Sequence, residues 1–373
     1  MQKGKETSLL WPMLTIGAAV WILCTIGILI LNSAGSGKAT TQAIMYKQLQ
    51  FMVVAFVALC ATMFVDLNKL RKFSIPIAFA TIILLVLVLL VGKEINGSKR
   101  WLSLGFIAIQ ASDFAKISLV LLLASFLHDN QRQIHTFKTG IVKPFLIIGL
   151  FCGLIIIEPD FGTTALCGVV GIAMMYIAGS NWKILLSVGT ILCGLASVLL
   201  YLSPVRRARI LAFMDVENTK LEGSYQLYQA ILGFGTGGIF GKGIGQGRQQ
   251  LSFLPEAHTD FVFAIVGEEL GLVTTILVVL LFALIFVIGI WSMKRAKSRF
   301  ELYMLVGSLF MIIFQVLFNL CVVTGLMPTK GISLPFISYG GSNLLAMGIF
   351  IGIIFNCYRS WNKPTTIKAV EYE

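Results

Sequence analysis

LSFLPEAHTDFVFAIVGEELG, residues 251–271, closes the one long polar loop of the chain and opens its longest apolar run. Glu256, His258 and Asp260 precede the run, and Glu268 and Glu269 lie inside it. An ionisable group at or within a membrane boundary is costly, so each carboxylate here is a candidate functional residue. Thr259 or Asp260 also suits the cap of the helix that follows, because a side-chain oxygen satisfies free N–H groups at a helix start. Asp260 is equally placed to act as a general base beside a pocket at the membrane surface. Asp260 and Glu268 are eight residues apart, which puts them near one face of a common helix, with Glu269 turned by about 100°. A buried Glu268 or Glu269 needs a cationic partner, and Arg or Lys from a neighbouring helix is expected.

Composition sets the frame. The chain has 373 residues, of which 57% are hydrophobic and 12% charged, and its mean hydropathy is +0.89. Soluble domains carry about 25% charged residues, so this is a polytopic membrane protein. Ten apolar segments lie near 10–31, 48–65, 75–91, 113–127, 142–157, 163–178, 185–202, 261–293, 302–324 and 343–357. The predicted fold is all-α: a single integral-membrane unit over 1–373 with about ten transmembrane helices, and a large loop at 203–260 between the seventh and eighth. The first segment is too long for a cleaved signal and reads as a retained span.

Lys and Arg set the orientation. With the N-terminus inside, fifteen fall in inner segments and six in short outer loops, which places both termini in the cytoplasm and the 203–260 loop outside. That loop adds Arg206, Arg207, Arg209, Lys220, Lys242 and Arg248. A long loop crosses regardless of charge; alternatively these cations face an anionic ligand such as a lipid pyrophosphate. The net charge of +12 is spread along membrane-flanking loops and forms no basic domain, so no nucleic-acid partner is expected. The seven cysteines show no CxxC spacing and the three histidines do not cluster, so no disulfide framework or His-based metal site is indicated.

Within the loop, 224–234 (SYQLYQAILGF) fits an interfacial amphipathic helix. The Gly233–Gly247 run contains a GxGxxG match with no preceding strand, and Gly241-Lys242-Gly243 lacks the Ser or Thr of a P-loop. It reads as a tight, flexible re-entrant loop.

Four polar patches interrupt the apolar pattern: Asn96–Lys116, Glu158–Thr164, the long loop ending in PEAHTD, and Gly331–Asn343. The orientation above brings all four to the outer side, which suggests an outward-opening cavity. Asp113 and Lys116 have salt-bridge spacing and serve either as a local pair or to position the cavity. Glu158 and Asp160 flank Pro159 in a short turn, either solvated or orienting cations of the long loop. Ser338 has no His partner, so a serine triad is not supported; Ser338 and Ser342 suit hydrogen bonds to sugar or phosphate, or close helix contact.

NGSKRWLSLG, EPDFGTT, GFGTGGIFGKGIG, FLPEAHTDFVFAIVGEELG and LMPTKGISLPFISYGGS, in this order, resemble the signature blocks of the SEDS family, the polytopic peptidoglycan glycosyltransferases of the FtsW/RodA/SpoVE type. The resemblance spans about residues 10–360, and the TKG before LPFISYGG is more similar to the division-type member. It implies an outward-facing site in the cytoplasmic (inner) membrane that polymerises lipid II into β-1,4 glycan strands by inversion. It places the catalytic aspartate at Asp260. Arg100, Arg206, Arg209, Lys242, Arg248 and Lys330, or a divalent cation (Mg or Mn), would meet the charge of the departing undecaprenyl pyrophosphate. Its implied partners are a class B penicillin-binding protein as transpeptidase and other divisome proteins. Two positions depart from the family pattern: Gln110-Ala111-Ser112-Asp113 loses a proline and shortens a glutamate, and Asn343 replaces a Ser or Thr. The alternatives are a lipid II flippase, which calls for matching polar patches on the inner side, and a non-catalytic scaffold for the transpeptidase. The polar patches are one-sided.

Overall fold

A computed structural model describes residues 10–33, 39–95, 98–103, 108–219, 223–249, 254 and 256–362. Its helices are α1 (Leu10–Ser33), α2 (Ala39–Phe64), α3 (Leu67–Lys72), α4 (Ser74–Val91), α5 (Ala111–Asp129), α6 (Lys143–Ile157), α7 (Phe161–Ala178), α8 (Trp182–Leu202), α9 (Pro204–Met214), α10 (Tyr225–Gly237), α11 (Val262–Ser292), α12 (Arg299–Val323) and α13 (Gly341–Asn362). Among the described residues, nine helices are long and apolar enough to cross a membrane, and α8 occupies the position of the remaining expected span, the seventh segment at 185–202. The chain is a multi-pass membrane protein.

The three helices at the centre carry the polar residues. The apolar windows of α5, α12 and α13 are 72%, 61% and 83% buried, against 11% for α2. This explains why the 113–127 segment is the least hydrocarbon-like in the chain: its surroundings are protein rather than lipid. α13 lies close against α2 because Gly348 and Gly352, four apart, present no side chain there. A Cβ at Gly348 would stand 2.7 Å from the Ala55 carbonyl oxygen.

The polar patch before α5 is not a plain loop. β1 (Lys93–Ile95), β2 (Ser98–Ser103) and β3 (Ala108–Gln110) form a small antiparallel sheet in the order β1-β2-β3, with Trp101 opposite Gln110. The sheet fixes Arg100 on β2 and delivers Gln110 to the start of α5.

The 203–260 segment is structured where it is described. The expected amphipathic helix is present as α10. It buries Leu227, Ala230, Gly233 and Gly237 and packs along α11 instead of lying apart at an interface. α11 itself is broken at Gly271, whose φ of 76° is left-handed. At the break the glycine-rich run supplies the missing partners: Lys242 N and Gly243 N donate to the carbonyls of Glu268 and Glu269, and Leu272 N and Val273 N donate to those of Gly238 and Ile239. A Cβ on Gly271 would fall 2.3 Å from Gly241 N, and one on Gly241 2.2 Å from the Glu269 carbonyl oxygen. The run is therefore a hydrogen-bonded splint on a broken helix. It needs glycine because two backbones touch and both positions have positive φ.

Candidate active site

Residues from all four polar patches meet at one end of the bundle. A cavity of about 380 Å³ is lined by Arg100 from β2, Asp160 and Gly162 at the start of α7, Arg209 from α9, Phe318 and Val322 near the end of α12, and the following loop through Lys330 and Gly331. A smaller polar chamber of about 40 Å³ adjoins it, sharing Gly162, Gly331 and Ile332 and reaching Gln110, Asp113, Lys116, Gln315 and Asn343. The mouth is cationic, and the inner chamber is lined with hydrogen-bonding groups.

Asp260 stands behind Gly331. A Cβ added to Gly331 would lie 3.0 Å from Asp260 Oδ2, so the absent side chain lets the carboxylate pack against the wall that Gly331 gives to both cavities, while Asp260 itself is not among the residues lining either. Asp260 does not cap α11: the cap position is Phe261, and no side chain bonds to the helix start. Its backbone is held instead. Tyr339 N donates to the His258 carbonyl at 2.9 Å, Ser338 Oγ to the Thr259 carbonyl at 2.5 Å, and Asn319 Nδ2 to the Asp260 carbonyl at 2.7 Å. Three successive carbonyls are thus pinned, which fixes the direction of the Asp260 side chain. No described side chain donates to its carboxylate. Burial, then the charges of Glu256 and Asp160, push that carboxyl up to about 7 against the pull of Arg100. Burial lowers His258, so its imidazole is neutral at pH 7.

The turn 158–160 is buried, not solvated: Glu158 is 0% and Asp160 3% exposed. The cation that organises it comes from the sheet and not from the long loop. Arg100 Nε donates to the Glu158 carbonyl at 3.0 Å and Nη2 to the Pro159 carbonyl at 2.7 Å. Asp160 caps α7 by accepting from Thr163 N at 3.1 Å, while its other oxygen lies 3.3 Å from Gln110 Nε2 and from Ser112 Oγ. The Glu158 carboxyl has no hydrogen-bond partner, and burial, reinforced by Asp160, raises it to about 8; it is mostly a neutral acid at pH 7. One residue behind the site escaped the sequence reading: Asn319, whose side chain holds the Asp260 and Ile332 carbonyls, is visible in the sequence only as a polar residue in an apolar span.

Three of the expected cations, Arg100, Arg209 and Lys330, line the cavity. Lys242 and Arg248 do not, and the Arg206 side chain lies outside the described residues. Lys242 Nζ pairs with Glu268 Oε1 at 3.5 Å, and Glu268 also accepts from Arg248 N at 3.0 Å and Gln249 N at 3.1 Å. The partner of Glu268 is therefore the glycine-rich splint, not a neighbouring membrane helix. Glu269 faces Ser33 of α1 and the backbone of Gly245 and Gly247, but neither of its buried carboxylate oxygens has a partner at hydrogen-bond geometry.

Asp113 and Lys116 form their pair at 2.7 Å, despite the shortened acid. Lys116 Nζ also reaches Gln315 Oε1 at 3.0 Å and Asn343 Oδ1 at 3.4 Å, and Gln315 Nε2 donates to Asn343 Oδ1 at 2.8 Å. Asn343, the second departure from the family pattern, is thus part of the buried network. The hydroxyls of Ser338 and Ser342, read as sugar or phosphate ligands or as close helix contacts, engage backbone: Ser338 Oγ accepts from Leu334 N at 2.7 Å, and Ser342 Oγ from Gln110 N at 3.0 Å.

Among the described residues, no group of three or more His, Cys, Asp or Glu stands together to hold a metal ion. The carboxylates present fit a divalent cation only as partial ligands beside substrate phosphates.

A profile of the cell cycle protein family of FtsW, RodA and SpoVE matches residues 14–363. The chain belongs to this family. It is 34% identical over 381 residues to a probable peptidoglycan glycosyltransferase FtsW of Pseudomonas fluorescens, covering 99% of this chain and 92% of that protein. It is 40% identical over 276 residues to the namesake of Coxiella burnetii, covering 73% and 74%. Among solved structures it resembles a chain of a peptidoglycan synthase complex that coordinates polymerization and crosslinking (TM-score 0.78, 27% identity, 93% of this chain and 97% of that one). It also resembles the rod shape determining protein RodA of Thermus thermophilus (TM-score 0.70, 25% identity, 92% and 96%).

Proposed function

We propose that the chain polymerises lipid II at the outer face of the cytoplasmic membrane, with Asp260 as general base. The relatives named peptidoglycan glycosyltransferase give the reaction class: the protein is a glycosyltransferase. The observation that carries the finer reading is a pinned carboxylate, raised to about 7, beside a cavity lined by three cations. The acceptor sugar's 4-hydroxyl attacks the anomeric carbon of the lipid-linked donor from the face opposite the leaving group. The β-1,4 bond forms as the bond to pyrophosphate breaks, and Asp260 takes the hydroxyl proton. Undecaprenyl pyrophosphate departs as an anion, and Arg100, Arg209 and Lys330 meet its charge. The Lys116 network holds the inner wall behind this exchange.

Membership of the family and the FtsW naming of the relatives support a role in cell division. Likeness to a chain of a synthase complex that couples polymerization to crosslinking supports a class B penicillin-binding protein as partner. The distribution of Lys and Arg supports both termini in the cytoplasm. The test is polymerisation of lipid II by the purified protein, alone and with its cognate transpeptidase. Glycan strands whose rate of formation climbs as pH rises through about 7 agree with an ionised Asp260 as base. Transfer of lipid II across liposomes without polymer would overturn the reading.

A further inference from the structure

The end of the bundle opposite the cavity holds a second built depression. α5 begins at Ala111 beside Ser112 and Asp160 and runs 19 residues to Asp129, so its two ends stand about 28 Å apart. There the end of α5, the turn 130–133 and the start of α12 enclose a bowl of about 450 Å³ lined by residues 128–133 and Arg299.

Its walls are rigid. Gln131 is fixed at both ends of its side chain: Nε2 donates to the Ala178 carbonyl at 2.9 Å, and Oε1 accepts from Tyr303 Oη. Asn130 Nδ2 closes the last turn of α5 on the Phe126 carbonyl at 2.9 Å. The His128 ring lies edge-on to Phe300, 6.3 Å between centroids, which ties α5 to α12. Its Nδ1 is buried with no hydrogen-bond partner.

The charge is unbalanced. Asp129 is the single acid of the lining, and Arg71 stands 4.0 Å from it. Arg132 and Arg299 at the lip are exposed and have no acidic partner among the described residues. Arg299 is also the first residue of a 25-residue helix whose cap, Ser298, accepts from Glu301 N at 3.2 Å, so the positive end of the α12 dipole faces the same region.

We propose that this bowl binds a phosphate group, presented by an anionic phospholipid headgroup or by a soluble phosphate compound. Two guanidinium forks grip phosphate oxygens in pairs. Basic pockets between membrane helices at a bilayer boundary suit lipid headgroups. The site is remote from Asp260 and independent of the catalytic reading.

The experiment is equilibrium binding of short-chain phosphatidylglycerol, phosphatidylcholine and inorganic phosphate to the purified full-length protein in neutral detergent. Wild type is expected to prefer phosphatidylglycerol over phosphatidylcholine. Arg132→Ala with Arg299→Ala should weaken phosphatidylglycerol binding about tenfold or more, because two charge-assisted contacts are lost. Arg132→Lys with Arg299→Lys keeps the charge without the forks and should fall between. If the alanine pair melts early, Arg132→Gln with Arg299→Gln carries the same comparison. Inorganic phosphate that binds, and is lost in the variant, while the lipid does not bind, assigns the site to a soluble phosphate. Equal binding of the two lipids without phosphate binding overturns the proposal, as does phosphatidylglycerol binding unchanged in the variants.

Discussion

Asp260 and Glu268 lie eight residues apart in one stretch of sequence, and the protein treats them in opposite ways. Glu268 is 0% exposed and saturated: two backbone N–H groups and Lys242 converge on its carboxylate. A carboxylate held so firmly is a strut. It fastens the glycine-rich run to the broken α11. Asp260 has its backbone pinned by Asn319, Ser338 and Tyr339, yet no described group donates to its side chain. It is pushed up to about 7, close to the pH at which it would work. The difference teaches that hydrogen bonds to the carboxylate make a structural residue, whereas hydrogen bonds to the backbone behind it leave the carboxylate free for chemistry.

The largest expected effect separates the two. Asp260→Asn and Asp260→Ala should lower lipid II polymerisation by about 10²–10⁴-fold while the melting temperature stays near wild type. Wild-type rates in well-folded variants would remove Asp260 from the chemistry. Glu268→Ala should do the reverse. It leaves the buried amide of Gln249 and the partly buried amide of Arg248 without an acceptor, a loss of about 1–3 kcal/mol visible in thermal unfolding. The pH dependence of whatever activity survives should be unchanged, and a shifted profile would mean that Glu268 acts on the base directly.

Smaller effects sharpen the picture around Asp260. Gly331→Ala puts a Cβ 3.0 Å from Asp260 Oδ2, so the carboxylate must give way by a few tenths of an ångström. A misplaced base costs rate, here about tenfold, with little change in stability; no change in turnover would show that the side chain has room to move. Asp160→Asn is the mildest. Asn keeps the cap on α7 but removes a charge that raises Asp260. The base then ionises more easily, and the rising limb of the pH–rate profile should move to lower pH from about 7. A limb that stays in place would show that Asp160 does not set the Asp260 carboxyl, leaving burial and Glu256 to do so.

Much of the architecture was legible in the sequence, because a membrane span is a local property: some 20 apolar residues in a row mark it wherever it packs. The amphipathic pattern of 224–234 marked α10 for the same reason. The site was less legible. Arg100, Arg209, Lys242 and Arg248 all read alike as loop cations, and only packing separates the two that line the cavity from the two that do not. Ser338 read either as a ligand for sugar or phosphate or as a close helix contact, and it holds the Thr259 carbonyl, a contact across 79 residues. Glu158 and Asp160 looked like a solvated turn because a four-residue window carries no sign of the Arg100 that caps it from 58 residues away.

The sequence by itself therefore determined the class of molecule, its spans and the four polar patches, and it singled out Asp260 as a candidate. Each follows from short-range composition or from an ordered set of motifs. The tertiary structure alone decided which carboxylate is a strut and which is free, that α11 breaks at Gly271 against Gly241, and that Gly331, without a side chain, stands against Asp260. Those outcomes depend on which atoms of distant segments come within about 3 Å of one another, and no local pattern records that.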